Sequence, residues 1–243
     1  MSPIGITQEP VFLIKIGFDM KKILLFCIAF VITESGASAQ TFGANPYLSG
    51  GLNLGYNSGL GIQGNLTISN FAQDFPVSIR LGVEYTSVNP GNPIDARLIF
   101  INDATNGVPQ KSGYVWDFRM DFLFRLKIYS LPKSFFFIGP RYSQFTADFE
   151  FIDGNEFFTI NSNQWGLGTG IQSNFLLTRR LDLVLTTGLD YYFSSIIEGH
   201  DTSYGPDGTI INGRKNFTYT DADNAINQPK FVVKAMMGFN YYF

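Results

Sequence analysis

The sequence predicts an all-β fold, namely an eight-stranded antiparallel up-and-down transmembrane β-barrel. Its last stretch, residues 230–243, has an apolar residue at every second position from Phe231 onward, which is the period of a strand with two different faces. Aromatic residues collect at the end of that stretch, and seven earlier stretches alternate in a similar way. A transmembrane barrel needs this combination, because its outer face is apolar, aromatic girdles lie at the water boundaries and its lumen is polar.

The composition favours a surface that meets something other than water. The chain of 243 residues is 16% aromatic and only 15% charged, whereas a soluble domain is about 25% charged. The net charge is −3, so no basic surplus is available to neutralise a phosphate backbone. Nucleic acid is therefore not an expected partner.

The N-terminal part carries the features of an export signal. From Met20 a basic start is followed by an apolar run of about ten residues and a small-residue cleavage site, which predicts a signal peptide over residues 20–39. Residues 1–19 are interpreted as a non-native or disordered extension, and the barrel domain is predicted over residues 40–243. The only cysteine, Cys27, lies inside the signal, so the mature chain has no disulfide and no thiolate metal site. Export of a barrel predicts a place in the bacterial outer membrane.

Eight stretches alternate between apolar and polar residues, and each has its own justification. The first two form a hairpin around an Asn-Ser-Gly turn. The third alternates almost without exception, and the fourth is far longer than a typical soluble strand of about five or six residues. The sixth is rich in glycine, the seventh follows a Thr-Arg-Arg turn, and the eighth ends the chain. In order, the stretches are residues 47–56, 60–68, 77–87, 114–128, 135–151, 165–177, 181–193 and 230–243.

The fifth stretch and the connections add two expectations. The apolar residues of the fifth stretch change phase part-way, which predicts a β-bulge near Ser143 and Gln144. After the first hairpin, long and short connections alternate. A barrel with both termini in the periplasm has its long loops outside, so polar loops at residues 88–112, 152–163 and 194–229 are predicted on the cell exterior.

The signal peptide, the eight strands and the terminal Tyr241, Tyr242 and Phe243 resemble the small outer-membrane β-barrel proteins of Gram-negative bacteria, including the OmpA-like and PorT-like barrels. The resemblance covers the whole mature chain and is one of pattern more than of motif. In that family the C-terminal aromatic signature is read by the barrel-assembly machinery, which implies that role for Phe239, Tyr241 and Phe243. The resemblance also implies outer-membrane lipid as a partner.

The inward faces of the predicted strands carry charges of both signs in similar number. Unpaired charges in a confined lumen would be costly, and an eight-stranded barrel is only about wide enough to be filled by its side chains. Paired charges that plug the lumen are therefore favoured over a substrate path lined by charge. The predicted network consists of Arg80, Glu84, Asp117, Arg119, Asp121, Arg125, Arg141, Asp182, Asp190, Lys230 and Lys234.

Two motifs suggest bound ligands but lack their context. The glycine spacing of residues 59–64 fits a dinucleotide fingerprint, yet a strand follows where that site needs a helix N-terminus. Asp221 and Asp223 resemble the start of a calcium loop, but the glycine and glutamate that such a loop needs are absent. Loose calcium binding by acidic loops stays open, and no cofactor or metal site is predicted.

A third motif suggests catalysis, because His200 lies beside Asp201 and Ser203. Three neighbours on a loop are not held as a triad requires, with the base between nucleophile and orienting group. No catalytic residue is predicted.

These observations predict a non-enzymatic membrane scaffold or surface-interaction module, with a partner bound through loops 88–112 and 194–229. The alternatives are a narrow porin-like channel for small solutes, a lipid-modifying outer-membrane enzyme and a soluble lipocalin-like ligand binder. Strand parity disfavours the last, because placing Arg119 and Asp121 outside would crowd the large aromatic residues into a narrow barrel.

Overall fold

Eight long antiparallel strands close into a ring. The computed structural model describes residues 46–71, 76–103, 106–128 and 131–243, so the predicted extension and signal peptide lie outside the described residues. Each long strand pairs with the next, and the last pairs with both the seventh and the first. The fold class predicted from the sequence is confirmed. The ring consists of β1 (Tyr47–Asn57), β2 (Leu60–Ser69), β3 (Val77–Ser87), β4 (Val108–Ile128), β5 (Leu131–Ile152), β6 (Glu156–Thr178), β7 (Leu181–Tyr192) and β11 (Phe231–Tyr242).

The two ends of the ring differ. β2, β4, β6 and β11 end at one end of the ring, here called the turn end, and β1, β3, β5 and β7 end at the other, the loop end. Three two-residue strands at the loop end pair one after another and extend the sheet from β6. The remaining elements are β8 (Ile197–Glu198), β9 (Ser203–Tyr204), β10 (Ile210–Ile211), α1 (Pro93–Phe100) and α2 (Tyr219–Ala225).

The two faces of the ring have opposite polarity. On β4 the outward Trp116 is 41% exposed, whereas the next residue, Asp117, faces inward and is 2% exposed. On β11 the odd-numbered apolar residues are likewise exposed, and Lys234 and Asn240 are buried. The predicted parity is confirmed, and it excludes the lipocalin arrangement.

Outward aromatic side chains form a girdle towards the loop end. Tyr85 packs on Trp116 and Tyr142 packs on Trp165, each pair with ring centroids 5.1 Å apart. A second group at the turn end includes Phe124, Phe136, Tyr241 and Phe243. On β4, the segment from Trp116 to Phe124 is nine residues long, which matches the roughly 9–11 residues of a transmembrane strand.

Strands β4, β5 and β6 continue past the loop-end girdle, and there their inward side chains become apolar. Helices α1 and α2 and the short strands pack on this surface. The loop end therefore has a hydrophobic core that is separate from the polar lumen. We call it the loop-end core. Its members are Ala96, Ile99, Phe100, Val115, Phe145, Ala147, Phe149, Phe151, Phe158, Ile160, Ile197, Tyr204, Ala222, Ala225 and Ile226.

This core explains why the predicted bulge near Ser143 and Gln144 is wrong. Both residues keep the regular register of β5 against β4 and β6. The apolar residues of β5 face outward on the turn-end side of the loop-end girdle and inward on its other side. Their phase along the strand therefore changes at the girdle. The register shifts instead near the turn end, between Leu126 and Ile128 and between Leu176 and Thr178.

The predicted long loops contain more regular structure than expected. The loop predicted at 152–163 is mostly strand, because β6 begins at Glu156. Residues 88–112 contain α1, which starts after the Asn92 cap with Pro93 in its first turn, as well as the first residues of β4. Within the described ranges, no helix combines the length and the apolar character needed to cross a membrane.

Candidate functional site in the barrel lumen

The lumen contains a continuous network of buried ion pairs. Arg80 of β3 donates through Nε and Nη2 to Asp121 Oδ2 at 2.9 and 2.7 Å. The other carboxylate oxygen of Asp121 forms an ion pair with Arg141 Nη2 at 2.7 Å. Arg141 also donates through Nε to Asp190 Oδ1 of β7 at 2.9 Å. These four side chains link four strands across the lumen.

A second branch joins the network at Asp190. Arg119 donates to Asp190 Oδ2 at 2.8 Å and lies 3.3 Å from Glu84 Oε2. Lys234 donates to Glu84 and lies 3.5 Å from Asp190 Oδ2. Asp190 therefore faces three cations, and these side chains are all nearly inaccessible to solvent. A charged group in such a place is stable only if it is paired.

Neutral polar side chains complete the hydrogen bonding of the network. Gln172 accepts from Arg80, and Gln63 accepts from Arg119 at 3.4 Å. The hydroxyl of Tyr192 donates to Asp117 Oδ1 at 2.8 Å. The sequence prediction did not include these three residues. Their inward parity on β2, β6 and β7 is the signal that could have found them.

The charges in the lumen balance. Four cations and four anions lie buried near one another in the part of the lumen that the structure describes, so the formal charges of these eight side chains cancel. The eight residues are Arg80, Arg119, Arg141 and Lys234, with Glu84, Asp117, Asp121 and Asp190.

Three residues predicted for this network lie elsewhere. Arg125 is exposed near the turn end of β4, beyond the ion pairs of Asp121. Lys230 is half-exposed at the loop end, where its Nζ lies 2.7 Å from Asp223 Oδ2. Asp182 is buried but belongs to a separate cluster at the turn end, where it accepts from the hydroxyl of Tyr242 at 2.6 Å. Parity placed them on the inner face, but their position along the strand removes them from the network.

The predicted C-terminal signature lies on the outer surface. Phe239, Tyr241 and Phe243 are all exposed, and the Tyr241 and Phe243 rings form an edge contact with centroids 5.5 Å apart. The backbone at this end is fixed, since Phe243 N donates to Leu48 O at 3.1 Å.

The other motif residues have structural partners. The glycine-rich residues 59–64 form the β1–β2 turn and the start of β2. Asp221 caps α2, and a hydrogen bond from the Thr218 hydroxyl lowers the pKa of its carboxyl group. Within the described ranges, no three metal-ligating side chains come together. His200 Nδ1 lies 3.0 Å from Asp201 Oδ2, with both side chains exposed on a loop.

A cavity of about 320 Å³ lies at the loop end, above the charge network. Its walls come from the end of β1 and the β1–β2 turn, from β3 and β4, and from the stretch that runs from α2 to the start of β11. The barrel wall extends less far at β1 and β2 than at β4 to β6, because only Ser58 and Gly59 connect β1 and β2. The lining residues are Asn57, Ser58, Thr86, Val115, Asp117, Asp223, Asn224, Ile226, Asn227, Gln228, Pro229, Lys230, Phe231 and Val232.

Comparison with known proteins identifies the fold. No protein-family model matches the sequence, and no curated protein is significantly similar to it. A major outer membrane protein from Thermus thermophilus is 24% identical with a TM-score of 0.66, covering 82% of this chain and 100% of that chain. The fold is that of an outer-membrane β-barrel.

Two other solved structures are more distant. Neisserial surface protein A is 11% identical with a TM-score of 0.39, covering 83% of this chain and 99% of that chain. CarO from Acinetobacter baumannii is 11% identical with a TM-score of 0.41, covering 81% of this chain and 97% of that chain. The fold assignment rests on the Thermus protein, and the finer OmpA-like or PorT-like assignment stays a prediction.

Proposed function

We propose that this chain is an integral outer-membrane protein with a closed lumen, serving as a membrane-anchored scaffold or surface-interaction module. The observation that carries the proposal is the buried ion-pair network from Arg80 through Asp121, Arg141 and Asp190 to Arg119. Its members come from strands around the ring and occupy the space that a solute would have to cross. Open aqueous channels are found in barrels of about 16 to 18 strands.

The outer surface supports the membrane location. An apolar band lies between the two aromatic groups on the outer face. Such a band suits contact with lipid, and aromatic side chains suit the two membrane–water boundaries. In this orientation the turn end faces the periplasm and the loop end faces the cell exterior.

The loop end supports the interaction role. The loop-end core gives the outer part a fixed shape, since Phe145, Phe149 and Ile160 are almost completely buried in it. A partner would therefore meet a folded surface that includes parts of residues 88–107 and 194–229.

Planar-bilayer recording of the refolded protein tests the closed lumen. Wild type is expected to give no steady single-channel steps. Replacing Arg119→Ala together with Asp190→Ala keeps the lumen neutral and retains the Arg80–Asp121–Arg141 and Lys234–Glu84 contacts, and this variant is expected to conduct. Arg125→Ala is the control and should stay silent, because Arg125 lies outside the network.

Stable steps from wild type, after removal of contaminating porins, would overturn the closed lumen and favour the narrow channel. Cell fractionation tests the location separately. The protein is expected in carbonate-washed outer membrane with a heat-modifiable gel shift, and recovery in the soluble periplasm would contradict the membrane assignment.

A further inference from the structure

The cavity at the loop end has the size of a small-molecule site. Its volume of about 320 Å³ is at the lower end of the roughly 300–1,000 Å³ that such sites occupy. Asp117 at its base adjoins the charge network, and the segment from Asp223 to Val232 forms one of its walls. Its lining includes Asn57 and Ser58 at the β1–β2 connection and no residue of β5 or β6.

Asp117 differs from the other buried acids of the lumen. Glu84, Asp121 and Asp190 each pair with at least one cation. Asp117 receives a hydrogen bond from the Tyr192 hydroxyl, but among the described residues no cation lies within ion-pair distance of its carboxylate. Arg119 and Lys234 of the network attract this carboxylate only from beyond ion-pair distance. A buried carboxylate on a cavity wall without a direct ion pair is suited to contact a cation that comes from outside.

Asn57 supplies a second acceptor on the same wall. Its Nδ2 donates to Thr86 Oγ1 at 3.1 Å, which leaves Oδ1 as the free end of the amide. Asn57 is 4% exposed, and no described residue donates to that oxygen. A buried acceptor without a donor costs about 1–3 kcal/mol, so a ligand that donates an N–H group would satisfy it.

The opposite wall is held in place by its own contacts. Asp223 accepts from Gln228 Nε2 at 2.7 Å and pairs with Lys230 at 2.7 Å. The cavity lining thus contains two carboxylates and one ammonium, and that ammonium pairs with Asp223 and not with Asp117. The carboxylates are not grouped for a metal ion, because the described residues contain no cluster of three metal-ligating side chains.

We propose that this cavity binds the ammonium group of a small polar solute, with the Asp117 carboxylate as counter-ion and Asn57 Oδ1 as a hydrogen-bond acceptor. Binding at this place does not require that the solute crosses the barrel, since the ion-pair network lies below it.

Titration of the refolded mature chain in detergent micelles, followed by amide NMR shifts, tests the site. The probe is n-propylammonium chloride, and saturable shifts are expected at Ser58, Thr86 and Asn227. Asp117→Asn should weaken the affinity at least tenfold, because a neutral amide cannot act as counter-ion. Asp207→Asn removes an exposed carboxylate on a distant loop and should leave the affinity unchanged.

Three further measurements decide the result. Tetramethylammonium has the charge but no N–H donor, and it should bind more weakly than n-propylammonium. Asn57→Ala should also weaken binding, and it provides the test if Asp117→Asn loses the heat-modifiable migration of the folded barrel. Shifts that do not saturate would overturn the proposal, and so would an affinity for n-propylammonium that is the same in wild type, Asp117→Asn and Asn57→Ala. Saturable binding of calcium chloride without binding of n-propylammonium would also overturn it.

Discussion

Arg141 on β5 donates through Nε to Asp190 Oδ1 on β7 at 2.9 Å, although β6 lies between these two strands. The contact passes over Gly168 of β6. A Cβ atom added at Gly168 would lie 2.0 Å from Asp190 Oδ1 and 2.3 Å from Arg141 Nε. The link across the lumen therefore depends on a position that has no side chain.

Gly168→Ala is expected to separate Arg141 from Asp190 and to destabilise the barrel by about 1–3 kcal/mol, the usual range for overpacking. Urea unfolding in lipid vesicles, followed by tryptophan fluorescence, measures the loss. Gly64→Ala is the matched control, because a Cβ atom there meets open space on the outer face. Equal stability of the two variants would contradict this role of Gly168.

Asp190→Asn is expected to destabilise the barrel by roughly 3–5 kcal/mol, because three buried cations lose a shared counter-ion. The unfolding measurement in vesicles gives the free energy. Asp207→Asn serves as control, since Asp207 lies exposed on a loop. A loss below about 1 kcal/mol, the range of an exposed pair, would mean that the cations do not depend on Asp190.

The strands could be predicted from the sequence because the period of two is a local property. Trp116 and Asp117 are neighbours with opposite environments, and the pattern alone assigns each to its face. The loop-end core was not predictable in this way. Phe145 and Phe149 share the parity of Arg141, so all three face inward. The inner face changes from charged at Arg141 to apolar at Phe145, and only the position of the girdle indicates where this change occurs.

The network was predicted in part for a similar reason. Parity places a residue on the inner face but does not give its height in the barrel, so Arg125 and Lys230 were included although they lie near the two ends. Tyr192 was not predicted, because strand parity places its phenol on the inner face but does not show that the hydroxyl reaches Asp117.

Phe149→Ala is expected to loosen the loop-end core and leave the barrel below it intact. Phe149 has no exposed surface, and truncation of a buried phenylalanine costs about 3–5 kcal/mol. Limited proteolysis should cut the loop-end segments of this variant faster, while the heat-modifiable migration of the barrel persists. Phe157→Ala is the control on the same hairpin, because Phe157 is 66% exposed. Loss of the folded barrel in the Phe149 variant would show that the two parts fold as one unit.

The C-terminal aromatic residues can be separated from ordinary girdle residues by a matched pair of variants. Tyr241 and Phe243 form an edge contact with centroids 5.5 Å apart, and Tyr191 and Phe193 form one with the same spacing at the other end of the barrel. Both pairs are exposed on the outer face. They have the same residue types and the same centroid distance but different places in the chain.

Replacing Tyr241 and Phe243 by Ser is expected to lower the amount of inserted barrel in cells much more than replacing Tyr191 and Phe193 by Ser. The reason is that a chain-terminal signature is recognised during assembly, whereas interfacial aromatic residues contribute only to the lipid boundary. The amount of heat-modifiable protein in the outer membrane measures insertion, and refolding of both variants in detergent without assembly factors controls for stability. An equal fall for the two variants in cells would leave Tyr241 and Phe243 as lipid anchors, because nothing would then distinguish the end of the chain from the opposite girdle.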